Sequence, residues 1–167
     1  MNKMNGKKAS FAPVRKDGSR ITICYGLNQL SKDLYEWFEV YLPKKQMPQL
    51  TFDVVKQAIL ADINERVKTA IISGFVWEGH PVWLSEENQL NFTQGVVPVT
   101  FKIGEQEDGT PIYHEFTTAE DLKAFNDACI AWKQQCLTAG YTEKDGIDWT
   151  PYQALFPESE QSSGVGE

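Results

Sequence analysis

Apolar residues recur along this chain with two different periods, and the switches between them mark the elements. Ile21, Ile23 and Tyr25 share one face by the period of two expected of a strand. Phe11-Ala12-Pro13-Val14 precedes them, and Lys16-Asp17-Gly18-Ser19 lies between. Asp-Gly is a strong turn signal because both residues tolerate positive φ, so residues 10–25 read as a β-hairpin. Residues 1–9 are polar and lysine-rich, and are expected to be mobile. Residues 28–33 read as a loop or short helical turn. Leu34 to Leu42 is rich in aromatic and branched residues, which favours a strand, and Pro43 and Pro48 bracket a loop after it.

The period then changes. Val55, Ile59, Ile63, Val67 and Ile71 recur at i, i+4, predicting a long amphipathic helix over residues 52–73, with Thr51 as its N-cap and Ser73-Gly74 ending it. Two short apolar runs around Glu78-Gly79-His80-Pro81 predict a tight hairpin over residues 75–84. Ser85 caps a second helix, with Leu90, Phe92 and Val96 as its apolar contacts and Gly95 closing it. A further hairpin joins Val99–Ile103 to Ile112–Phe116 through Glu107-Asp108-Gly109-Thr110. Thr117 and Glu120 have capping-box spacing, and Leu122, Phe125, Cys129, Trp132 and Cys136 form a helical stripe ended by Gly140 as the C′ residue. Residues 141–157 read as irregular, and the polar tail from Glu158 as disordered. The fold class expected is therefore α+β, about three helices packed on short antiparallel hairpins. The expected organisation has a hairpin and aromatic segment at 1–50, a helix–hairpin–helix–hairpin–helix module at 51–140, and an irregular segment with an acidic tail at 141–167.

Composition narrows the classes. The 167 residues are 41% apolar and carry a formal charge of −7, which excludes a collagen-like repeat and argues against a generic nucleic-acid binder. The charge is divided: residues 1–104 hold 13 Lys/Arg against 10 Asp/Glu, residues 105–167 only 3 against 13. A division of this kind marks either a solvated acidic surface or one that meets a basic partner. Cys24, Cys129 and Cys136 are an odd set. Cys129 and Cys136 lie two helical turns apart, ~10 Å along the axis, too far for a disulfide. They read as small core residues in a reducing compartment. No window resembles a secretory signal or a membrane span.

Chemistry is sparse. His80 and His114 lie 34 residues apart in different hairpins, and no Cys or His spacing suits zinc. There is no nucleophile elbow and no phosphate loop, and the Glu105–Gly109 segment lacks the alternating ligands of a calcium site. Nothing points to a catalytic residue, a metal or a cofactor. The aromatic residues are the richest class. Trp132 belongs to the helical stripe and reads as core. Tyr35, Trp37, Tyr41, Trp77 and Trp83 are the interface candidates, because one face of the 34–42 strand must be exposed or paired, and Trp and Tyr are enriched at interfaces.

The order of residues 52–138 carries a resemblance. A helix ends in Ile72-Ser73-Gly74-Phe75-Val76-Trp77-Glu78-Gly79, and Val82-Trp83-Leu84-Ser85-Glu86-Glu87-Asn88-Gln89-Leu90-Asn91 follows. An Asp-Gly hairpin and an acidic-start helix come next. This resembles the uncharacterised family labelled "domain of unknown function 4376", a module of bacteriophage and prophage tail proteins. The resemblance implies a non-enzymatic structural or tail-assembly protein. It would sit in the virion or the host cytoplasm and act through contacts with other tail or virion proteins or with itself, with no nucleic acid or membrane as partner. A second class stays open beside it: a small acidic cytosolic regulator or inhibitor that binds a basic partner.

Overall fold

The computed structural model describes residues 2–106 and 108–157, without the side chains of Asn2, Met47, Pro48 and Gln49. Within them the chain has a mixed α+β fold, several helices packed against antiparallel sheets. Strands β1 (Asn2–Gly6), β2 (Val14–Asp17), β3 (Arg20–Gln29) and β4 (Tyr35–Pro43) form one antiparallel sheet in the order β1-β4-β3-β2. Helix α1 (Phe52–Ser73) leads to the two-stranded sheet β5 (Phe75–Trp77) and β6 (His80–Val82). Helix α2 (Glu86–Gln94), the sheet β7 (Val99–Glu105) and β8 (Pro111–Phe116), helix α3 (Ala119–Asp145) and the short α4 (Thr150–Gln153) complete it.

Contacts divide the chain into two compact units, Met1–Ile63 with Glu143–Glu167, and Asn64–Thr142. The division falls inside helices α1 and α3, not at the expected breaks after residues 50 and 140. In the first unit, Ile21, Ile23 and Tyr25 on β3 are buried, and so are Val55, Ile59 and Ile63 on α1. The Tyr25 hydroxyl donates to Asp62 Oδ2 at 2.6 Å, which ties the sheet to the helix. In the second unit the core gathers Ile71, Phe75, Val82, Leu84, Phe92, Ile103 and Phe116 around the α3 stripe. Phe125 is its hub, with ring centroids of Phe92 and Phe116 each 5.0 Å away and that of Trp77 at 5.4 Å.

Several expectations need correction. The polar N-terminus is ordered over Asn2–Gly6, where it pairs with β4 from Asn2↔Glu39 to Gly6↔Tyr35. Gly140 does not end α3, which runs on to Asp145. It is buried because a Cβ there would collide with Val67, so glycine serves a close helix contact and not a left-handed cap. About half of residues 141–157 are accordingly helical, in the last turn of α3 and in α4. The α3 cap is Thr118, whose Oγ1 accepts from the Asp121 backbone N–H at 3.2 Å and donates to the Asp121 carboxylate at 2.7 Å. On α2, Leu90 is exposed and only Phe92 is buried, and Val96 lies exposed beyond the Gly95 cap. Residues 44–49 form a 3-10 turn where a loop was expected. The expected disordered tail lies outside the described residues, as does Glu107 of the β7–β8 turn.

Candidate functional site

Alternation along β4 sorts its residues onto two faces. Phe38, Val40 and Leu42 pair with Tyr25, Ile23 and Ile21, on the face that α1 covers. Trp37, Glu39 and Tyr41 point the other way, opposite Cys24 and Thr22. On this second face Glu39 is buried to 4% exposure, and a buried carboxylate requires partners. It has three. Arg15 Nη2 and Trp37 Nε1 donate to Oε1 at 2.9 and 3.0 Å, and the Tyr41 hydroxyl donates to Oε2 at 2.8 Å. Burial alone would raise the Glu39 pKa, but the hydrogen bonds from Trp37, Tyr41 and Arg15 outweigh it and hold the carboxyl below its ordinary value. Cys24 lies beside it, its Sγ 3.5 Å from Arg15 Nη1, and burial pushes this thiol up to about 11. A thiol so raised is a poor nucleophile.

Trp37 is therefore enclosed within the first unit. Only 3% of it is exposed, Phe11 packs edge-on against it at 6.2 Å, and Gly6 leaves room for its ring. Tyr35 and Tyr41 are half-buried, and the Arg20 guanidinium stacks 4.0 Å from the Tyr41 ring centroid. Trp77 is half-buried in the second unit's core, and its buried Nε1 has no acceptor among the described residues. Trp83 alone of the five is well exposed, at 42%. So the structure does not bring the five aromatic residues together into one surface.

A different grouping appears around Trp83. The Trp83 backbone N–H donates to the Ile103 carbonyl at 2.9 Å, which docks the end of β6 on β7. Lys102 Nζ then lies 6.0 Å from the Trp83 ring centroid, and Lys102 is the cross-strand partner of Tyr113, which is 63% exposed. Trp83, Lys102 and Tyr113 thus share an outward surface, while Phe101 and Ile103 turn inward to the core. Tyr113 escaped sequence reasoning; the signal was its place in the alternation of β8, opposite Lys102.

The remaining titratable groups have local duties. Cys129 and Cys136 are buried, Cys129 with a thiol pushed up to about 12 by burial. The Asp108 carboxylate accepts from the Thr110 backbone N–H at 2.9 Å, which holds its pKa below the ordinary value and fixes the turn. His114 stacks on Phe116 at 4.4 Å between ring centroids, and His80 is exposed in its turn. Among the described residues no group of three His, Cys, Asp or Glu could hold a metal ion, and no helix is long and apolar enough to cross a membrane. An open groove of about 740 Å³ at the start of α1 has apolar walls of Leu50, Phe52, Phe156 and Pro157, with Thr51, Asp53 and Gln153 as its polar groups. Comparison of the chain with protein-family models, with curated proteins and with solved structures finds no match.

Proposed function

We propose that this chain is a non-enzymatic bacteriophage or prophage protein, tail-associated or used in tail assembly, and that it works through protein contacts. The phage assignment rests on the resemblance of residues 52–138. The contact role rests on one observation, the outward surface of Trp83 and Tyr113 about Lys102. Large amphipathic rings held on a rigid sheet supply contact area at low conformational cost and are the residue types that dominate interface energies. The buried carboxylate and the three buried thiols are committed to structure, which suits the same reading.

The test pairs the chain with the tail and virion proteins encoded beside it. Trp83→Ala with Tyr113→Ala replaces two exposed side chains, so the fold should survive, as circular dichroism would verify. Binding is expected to weaken at least ~10-fold, about 1.4 kcal/mol. Unchanged binding by the double variant would remove this surface from the reading. Tails and virions purified from the encoding phage without a trace of the chain, and no binding to their components, would remove the phage role itself.

A further inference from the structure

The first unit carries one convex and one concave apolar feature, both apart from the Trp83 surface. The convex one is the tip of the β3–β4 hairpin. The Leu30 backbone N–H donates to the Leu34 carbonyl at 2.9 Å, so the two leucines sit opposite each other across the turn, their Cβ atoms ~5 Å apart. The turn is closed from within. The Ser31 N–H also donates to the Leu34 carbonyl, at 3.1 Å, and the Gln29 side-chain amide donates to the Ser31 carbonyl at 3.1 Å. Leu30 and Leu34 are nevertheless 47% and 41% exposed. A hydrogen-bonded turn thus holds an apolar pair in water, with the exposed Lys32 between them in sequence. The concave feature is the open groove of about 740 Å³ walled by Leu50, Phe52, Phe156 and Pro157. Its Thr51 hydroxyl is engaged as the α1 cap. Neither Asp53 in the groove nor Lys32 on the tip has an ion pair among the described residues.

Tip and groove do not meet within one chain. The tip lies where Gln29 pairs with Tyr35, and the opposite end of the hairpin is where Arg20 pairs with Pro43, after which the chain turns into α1. Tyr25 bonds Asp62, which lies ~15 Å along α1 from Phe52. Leu30 lies ~16 Å farther along β3 in the same direction. The two features are therefore on the order of 30 Å apart, at opposite ends of a paired hairpin and a helix. A groove of this volume is in the range that encloses a small ligand, but such a ligand would leave the leucine pair in water. One occupant covers both features. We infer that the Leu30–Leu34 tip of one copy of this chain docks in the α1 groove of a second copy, with Lys32 meeting Asp53. Such a contact is heterologous: an apolar knob on one end of the unit fits a pocket on the other, and copies add head to tail into a ring or a filament as the rotation closes or does not. It uses a different surface from Trp83 and Tyr113, and it stands whether or not the phage reading does.

Sedimentation velocity of the full chain tests this, run from micromolar to several hundred micromolar concentration. The wild type is expected to associate as concentration rises. Leu30→Ser with Leu34→Ser removes the knob, and Gln153→Lys sets an ammonium on the groove wall beside Asp53. Each should raise the dissociation constant at least ~10-fold, since burying a leucine is worth more than ~1.4 kcal/mol. The decisive sample is their mixture. One variant keeps its groove and the other its tip, so together they should form a heterodimer and grow no further. Trp83→Ala with Tyr113→Ala should associate as the wild type does. Lys32→Glu is the second tip variant, should the serine pair fold poorly, and should weaken association ~3-fold or more. A wild type that stays monomeric at several hundred micromolar overturns the inference, and an apolar dye bound by it but not by Gln153→Lys would then assign the groove to a small ligand. Association that survives the tip variants, that is lost in the Trp83 and Tyr113 variant, or that does not return in the mixture also overturns it.

Discussion

Glu39 and Trp37 show how one position can be read correctly in direction and wrongly in consequence. The alternation of β4 places Trp37, Glu39 and Tyr41 on one face, and that much is legible in the sequence. What covers the face is not, because Arg15 and Phe11 come from a distant stretch and arrive only through the sheet. A tryptophan read as exposed is therefore an internal donor, and a glutamate that composition assigns to solvent is buried. Glu39→Gln keeps the shape and removes the charge that Arg15 requires, and is expected to cost about 2 kcal/mol at pH 7. The sign of the pH dependence follows from the lowered Glu39 pKa. Stability from a depressed carboxyl is present above the ordinary carboxyl pKa of 4.5 and is lost as pH falls through the folded value. The gap between wild type and Glu39→Gln should therefore narrow in urea unfolding as pH falls from 5 toward 3. A gap of constant size would mean that the Glu39 pKa is the same in the folded and unfolded chain, and a shift in favour of the wild type as pH falls would mean that the carboxyl is neutral in the fold.

At the scale of elements, what is locally encoded was legible and what is set by a neighbour was not. Helix α1 has the predicted bounds because both signals are local: the Thr51 hydroxyl accepts from the Val54 backbone N–H at 3.3 Å, and Gly74 follows the last turn. Its apolar repeat holds a subtler message. Steps of four residues advance ~40° beyond a full turn, so the five positions wind ~160° around the helix. Val55, Ile59 and Ile63 are buried in the first unit, and Ile71 joins the second unit's core. By contrast β1, Asn-Lys-Met-Asn-Gly, has no apolar period of its own and is a strand only because β4 offers it a partner. Gly140 looks like any terminal glycine, and only Val67 across the contact reveals its role. The β5–β6 turn is the element most open to improvement. Glu78 sits at φ 48 and Gly79 at φ 82, the signs of a turn with two left-handed residues. Glutamate resists that region and asparagine tolerates it. Glu78→Asn should stabilise the chain by about 0.5–1 kcal/mol. Chemical denaturation would read this as a higher midpoint at an unchanged slope, and a lower midpoint would show that Glu78 holds the turn in some other way.

For the molecule as a whole, the divided charge was visible in the sequence, but the two cores were not, because the chain returns to its first unit only after completing the second. The units are joined by structure that does not pause at the boundary. Helix α1 crosses between Ile63 and Asn64, and α3 crosses between Thr142 and Glu143. Melting either unit strips the packing from one end of both helices, and a helix end without tertiary support is marginal in water. Loss of one unit should therefore weaken the other. Ile23→Ala opens a cavity in the first unit and Phe125→Ala removes the hub of the second; each is expected to cost ~2–5 kcal/mol. Both should lower one common transition, by ~2–4 °C per kcal/mol in a chain of this size. Calorimetry and tryptophan fluorescence together can decide it, since Trp37 and Trp149 report on the first unit and Trp77, Trp83 and Trp132 on the second. If Ile23→Ala shifts an early transition while a later one keeps its wild-type midpoint, the helices do not couple the two cores. A single shifted transition in both variants would make each core a condition for the other. The aromatic surface would then be carried by one cooperative fold.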